Sequence, residues 1–156
     1  MFVPDDFAPP RALSGASEAG ERFRLEPLGP EHNERDHRAW MSSIEHIHRT
    51  PGFDGWPWPH EMTLEDNHAD LVGHADDFTA RRGFTYTVLD AGDDVIGCVY
   101  MYPDKDGGHD VHVRSWVRAD HADLDVVLRR TVMGWLRTAW PFERIRYAGV
   151  DAQRSE

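Results

Sequence analysis

The sequence has one cysteine, no long apolar run and no cluster of basic residues, and each shortage closes off a class of protein. Cys98 stands alone among 156 residues, so neither an internal disulfide nor a multi-cysteine metal site can form within the chain. It lies inside the apolar stretch 95–102 (VIGCVYMY), which makes it a small core residue rather than a nucleophile. That stretch is the longest near-continuous apolar run, far short of the roughly 20 residues that cross a bilayer. Lysine and arginine total 17 against 28 aspartates and glutamates, a formal net charge of −11. With no basic face, neither nucleic acid nor an anionic membrane surface is an expected partner. The opening residues are acidic where a secretory leader needs basic ones, so the expected location is cytoplasmic.

Metal-ligand spacings are also missing, although there are ten histidines. His46 and His48 are two apart, His68 and His74 six apart, and His109 and His112 three apart across the start of a strand. None has the four-residue spacing that puts two imidazoles on one helical face. Residues 104–108 (DKDGG) are too short for a calcium loop and lack its closing glutamate. No metal is expected.

What the chain does have is enough apolar residue, 40%, for one packed core. Residues 1–20 carry Pro4, Pro9, Pro10, Gly15 and Gly20 with little periodicity and read as a flexible arm. Residues 21–156 read as a single domain. Residues 23–28 (FRLEPL) alternate as a strand, and 31–48 carry a helical stripe through Ala39/Trp40, Ile44 and Ile47. Residues 50–60 (TPGFDGWPWPH) are too rich in proline and glycine for regular structure. Thr63 is placed to cap a helix over 64–82, ended by Gly83. Strands over 84–89, 95–102 and 110–117 follow as antiparallel neighbours. A helix over about 123–140 and a strand over 142–150 complete the order βααβββαβ. This predicts an α+β domain on one mixed, mostly antiparallel sheet, with a right-handed strand–helix–strand crossover at 110–150.

On the strand 110–117, His112, Arg114 and Trp116 share one face. Val111, Val113, Ser115 and Val117 share the other, expected to be the core face. His112 titrates near neutral pH and is a candidate base. Tyr100, Tyr102 and Tyr147 also lie on strands, and Tyr147 stands beside His112 as a catalytic candidate. Trp56, Trp58 and His60 sit in the irregular loop, where two indoles near an opening suit an apolar or cationic ligand.

This order resembles the GNAT superfamily of acyl-CoA-dependent N-acetyltransferases. FRLEPLGPEH at 23–32 is similar to that family's first strand and helix. FTYTVLDAGDDVIGCVYMYP at 84–103 is similar to its paired second and third strands. VRSWVRADHADLDVVLRRTVMGWL at 113–136 is similar to its fourth strand, pyrophosphate turn and third helix, and WPFERIRYAGV at 140–150 to its fifth strand. The resemblance implies acetyl-CoA as cosubstrate and a small-molecule or peptide amine as acceptor. It implies that backbone groups of Ser115, Trp116 and Val117 meet the thioester and pantetheine arm, with Arg118 at the strand end. It also implies a further helix and strands after the fifth strand, whereas only residues 151–156 follow here. An open strand edge of that kind is usually covered, so a homodimer is expected.

At the pyrophosphate turn the family's glycines fall on Asp123 and Asp125. Asp123 is positioned to cap the helix and Asp125 to sit in its first turn, so the helix start is expected to be satisfied internally. A diphosphate there would meet like charge. One such pair at ~4 Å costs on the order of 4 kcal/mol at an effective dielectric constant near 20, about a thousandfold in affinity. Two readings follow: an N-acetyltransferase with unusual phosphate contacts, or a non-catalytic GNAT-like protein that binds a ligand or partner without the coenzyme's pyrophosphate.

Overall fold

A computed structural model describes residues 1–150. The expected domain runs to 156, and its last six residues lie outside the described part. Six strands form one sheet in sequential order: β1 Leu13–Ala16, β2 Arg22–Pro27, β3 Phe84–Asp90, β4 Val95–Tyr102, β5 Val111–Val117 and β6 Ile145–Tyr147. Every neighbouring pair is antiparallel except β5 and β6. The helices are α1 Asn33–Met41, α2 Ile44–His48, α3 Leu64–Ala80 and α4 Asp125–Ala139. The fold is α+β with a mixed, mostly antiparallel sheet, and α4 makes the crossover between the two parallel strands.

The expected flexible arm over 1–20 is corrected by the structure. Leu13–Ala16 pairs with β2, placing Leu13 opposite Leu25. Ahead of it, Val3 is buried, Phe2 stacks on Phe84 and Phe142, and Phe7 packs against Trp140. The Arg81 guanidinium donates to the carbonyls of Pro4 and Phe7, and the Tyr86 hydroxyl donates to that of Pro10. The prolines and glycines hide this pattern because its aromatics are anchors at irregular spacing rather than a periodic stripe.

The continuous helix expected over 31–48 is broken between α1 and α2. The Ser42 hydroxyl donates to the Ala39 carbonyl at 2.7 Å, and Ser43 leaves helical geometry. Adjacent serines offer the backbone such alternatives to the helical ladder. Thr63 caps α3 as expected, its hydroxyl accepting from the Asp66 N–H at 3.0 Å. Arg81, not Gly83, takes the left-handed position that closes α3, at φ 63°.

The sheet has a core on each face. On one side α4 packs Leu128, Val132 and Leu136 onto Val113, Val117 and Tyr86. On the other, Trp40 of α1 and Leu71 of α3 cover Trp116, Val95 and Cys98. Cys98 is fully enclosed, and burial pushes its thiol well above the ordinary range. It is a core residue, as its setting in the sequence indicates.

Candidate functional site: an aromatic cavity and a strand gap

Period-two alternation divides β5 between two sites. Val111, Val113 and Val117 enter the α4-side core, while Trp116 enters the core beneath α1 and α3. His112 and Arg114 share the Trp116 face and open onto a cavity of about 730 Å³. The strand registers set its floor. Tyr102 lies beside His112, which lies beside Arg146, and Tyr100 lies beside Arg114. One wall comes from α1 and α3, through Asp36, Asp70 and His74. The roof is the irregular loop, through Phe53, Trp56 and Trp58.

The aromatic residues are packed as a set. Trp58 lies 5.4 Å from Trp40, 6.0 Å from Phe53 and 6.4 Å from both Tyr100 and Trp116, ring centre to ring centre. The Trp116 indole N–H donates to the Tyr100 hydroxyl at 3.0 Å. Arg114 stands over Trp56 at 4.1 Å and donates through Nε to the Gly52 carbonyl at 3.1 Å. Of the three loop residues singled out in the sequence, Trp56 and Trp58 line the cavity. His60 does not; its ring meets the Pro57 carbonyl on the surface.

Asp36 has no counterpart among the sequence expectations. It is 4% exposed, and its carboxylate accepts from Asn67 at 3.1 Å. Asn67 in turn accepts from the Trp40 indole at 3.0 Å. Burial pushes Asp36 up to about 6, opposed by the Asn67 hydrogen bond and by His32 and His37. A polar residue on the buried side of a short helix was the available signal, and one acidic residue among 28 does not single itself out.

His112 behaves differently from an ordinary imidazole. Burial first, then the charges of Arg114 and Arg146, lower it to about 4. It is neutral at physiological pH and a weak base. His74 is also lowered, by burial; its Nδ1 lies 3.0 Å from the Tyr102 hydroxyl and 3.1 Å from that of Thr85. Tyr147 is on the far side of the sheet, away from the cavity. Its hydroxyl is 2.7 Å from the Ser115 hydroxyl, and both groups are buried.

A second feature lies where β5 and β6 part. The pairing ends at Val113 and Tyr147, with one further bond from the Ala148 N–H to the Val113 carbonyl. Arg118 donates its N–H to the Ile96 carbonyl of β4 at 2.8 Å. By alternation, Trp116, Arg114 and His112 also bond toward β4, and Ser115 and Val117 turn their backbone groups toward β6. Beyond Val113 no described strand pairs with them. Ser115 and Val117 thus have no strand partner on that side among the described residues, while the Trp116 backbone points toward β4.

The mouth of this gap is filled by the protein's own groups. A side chain on Gly52 would strike Ala148 and Arg114, and one on Gly149 would touch Pro51 and Arg129. Arg129 lies 2.7 Å from the Asp125 carboxylate, though the pair is poorly aimed as a hydrogen bond. A 3-10 turn, Ala119–Leu124, precedes α4. Its Ala119 N–H donates to the Ser43 hydroxyl at 2.8 Å. The expected cap is corrected here: Leu124, not Asp123, occupies the cap position of α4, without a side-chain bond, and Asp123 is exposed. Asp125 stands in the first turn as expected, with its carboxylate on Arg129. Arg118, expected near the coenzyme, is held by Asp94 at 2.9 Å and Asp120 at 3.0 Å.

The sequence matches no protein-family model and no curated protein. Solved structures do match. The ribosomal-protein-S5-alanine acetyltransferase from Vibrio fischeri aligns with a TM-score of 0.62 at 17% identity, over 86% of this chain and 73% of that one. RimL, a ribosomal L7/L12 alpha-N-protein acetyltransferase in complex with coenzyme A, aligns with a TM-score of 0.61 at 12% identity, over 85% and 74%. The GNAT domain of S. lividans PAT aligns with a TM-score of 0.57 at 15% identity, over 83% and 74%. At these identities the likeness is one of fold.

Proposed function

For a chain that has the fold of the GNAT acetyltransferases, we propose an acetyl-CoA-dependent N-acetyltransferase whose acceptor is a small-molecule or peptide amine. The observation that carries this reading is the parting of the strands beyond Val113, where no described strand pairs with the backbone of Ser115 and Val117, next to a cavity bounded by Arg114. Transfer to an amine requires a polarised thioester carbonyl, a deprotonated amine and the two held together. An N–H of Ser115 or Val117 polarises the carbonyl, aimed where oxyanion charge develops. The amine sits in the cavity. Asp36, raised to about 6, is better matched than His112 to take a proton at neutral pH. The nitrogen's lone pair then attacks the carbonyl carbon, the C–S bond breaks, and the thiolate leaves and takes a proton from solvent. The proton on the nitrogen goes to Asp36 and onward to solvent.

A second reading keeps the cavity and drops the coenzyme. Its support is the filled mouth of the gap: Pro51, Gly52 and the Arg129–Asp125 pair stand there, and the Ala119 N–H is already bonded to Ser43. Calorimetry with acetyl-CoA and desulfo-CoA separates the two. Micromolar binding of both, with thiol release on adding an amine, supports the transferase. No heat at millimolar coenzyme leaves the non-catalytic binder.

A further inference from the structure

The cavity carries charge of both signs: Asp36, Asp70, Asp104 and Asp106 against Lys105, Arg114 and Arg146. On the α1 and α3 wall stand two carboxylates, Asp36 and Asp70. Asp70 is among the charges that raise Asp36, so the two are close enough to repel. Across the floor, on β5 and β6, stand two guanidinium groups, Arg114 and Arg146. They too act against each other, since Arg146 lowers Arg114. Arg146 is partly neutralised by Asp104 and Asp106, each at 3.1 Å. Arg114 donates only its Nε, to a carbonyl, and has no carboxylate partner among the described residues. Between the two pairs lie Tyr100 and Tyr102, with Trp58 above.

With Arg146 answered by Asp104 and Asp106, an acidic pair faces Arg114, which has no carboxylate partner among the described residues, over an aromatic floor, and the site is bipolar. Each end is relieved by a ligand group of opposite sign. A simple amine would satisfy only the acidic end and leave Arg114 without a carboxylate. A simple carboxylate would do the reverse. Arg114, on β5, is one strand spacing from β4 beneath α1 and two from β3 beneath α3, about 5–10 Å. One to three extended residues span roughly 3–10 Å.

We infer that the cavity's ligand is a zwitterion with an apolar or aromatic body, a free amino acid or a di- or tripeptide, its ammonium on Asp36 and Asp70 and its carboxylate on Arg114. Its role as acceptor rests on the acetyltransferase reading above; its binding does not. Among the amines open to that reading, this selects those that also carry a carboxylate within reach.

The probes are L-phenylalanine and the dipeptide Phe-Phe, each compared with its carboxamide and its N-acetyl form, by calorimetry on the whole protein without coenzyme. At least one zwitterion should bind roughly tenfold more tightly than either single-charge form, the size of one charge-assisted hydrogen bond. Arg114→Gln should weaken the zwitterion and the N-acetyl form by about that factor and leave the carboxamide unchanged. Asp70→Asn should weaken the zwitterion and the carboxamide and spare the N-acetyl form. The spared ligand reports in each case that the variant is folded. A carboxamide that binds as tightly as its zwitterion in the unaltered protein overturns the inference, as does no binding of any probe. If zwitterions bind but are not acetylated in the presence of acetyl-CoA, the transferase reading fails and this one stands. If single-charge amines are acetylated with no preference for a carboxylate, the reverse holds.

Discussion

Replacing Asp36 by asparagine isolates the buried carboxylate on the α1 wall of the cavity. Asparagine preserves the shape and can still accept from Asn67, but it cannot ionise. In the folded chain Asp36 sits at about 6 against an ordinary 3.8, chiefly through burial. It holds its proton more tightly folded than unfolded. Its contribution to stability is therefore fully present below about pH 4 and is lost as pH rises through about 6. The full window corresponds to about 3 kcal/mol, of which about 2 kcal/mol is lost between about pH 4.5 and about pH 7.5. His112 pulls the other way. Its folded value of about 4 lies below its ordinary 6.5, so its contribution is present above about 6.5 and lost as pH falls toward 4. His74 has the same direction. The native protein's profile thus mixes opposed slopes, and only the difference between native and variant exposes the carboxylate. Urea unfolding followed by tryptophan fluorescence at the two pH values measures it. On going to the higher pH, Asp36→Asn should gain about 2 kcal/mol relative to the native chain. A difference that stays constant across pH would refute the assignment of a raised, buried carboxylate.

Tyr147→Phe leaves the buried Ser115 hydroxyl without its partner at 2.7 Å and should cost about 1–3 kcal/mol in urea unfolding. Cavity ligands should bind the variant as before, because Tyr147 lies on the far face of the sheet; lost binding would contradict that placement. Asp125→Ala strands Arg129, whose side chain is 13% exposed, and should cost about 2–3 kcal/mol, a little under the range for a fully buried pair. Asp123→Ala, on an exposed residue without a capping bond, should stay within about 0.5 kcal/mol. Equal losses in thermal melts of those two variants would restore the view that both acids serve the helix start.

The elements with strict periodicity were legible in the chain. Residues 95–102 had to be a buried strand, and the alternation over 110–117 separates His112, Arg114 and Trp116 from the valines. Thr63 identified its own helix start. These features are local: each depends on residues within a turn or a pleat of one another. The N-terminal strand was not legible, because Leu13–Ala16 gains its partner from β2, and Phe2 and Phe7 ahead of it gain their anchors from Trp140, Phe142 and Arg81. The limits of α4 were legible to within two residues; the 3-10 turn ahead of it, where Ala119 meets a serine distant in sequence, was not.

The site divides along the same line. Composition and pattern decided that the protein would build one mixed sheet around a core, that its lone thiol would be inert, and which face of β5 would carry polar groups. Which carboxylate would be trapped, which imidazole would lose its basicity and which aspartate would meet an arginine were settled only by packing. Desolvation and Coulomb interaction depend on distance in space. Asp36 is 31 residues from the asparagine that holds it, and His112 is 34 residues from the Arg146 charge that helps silence it. A chain lists such groups far apart; the sheet sets them side by side.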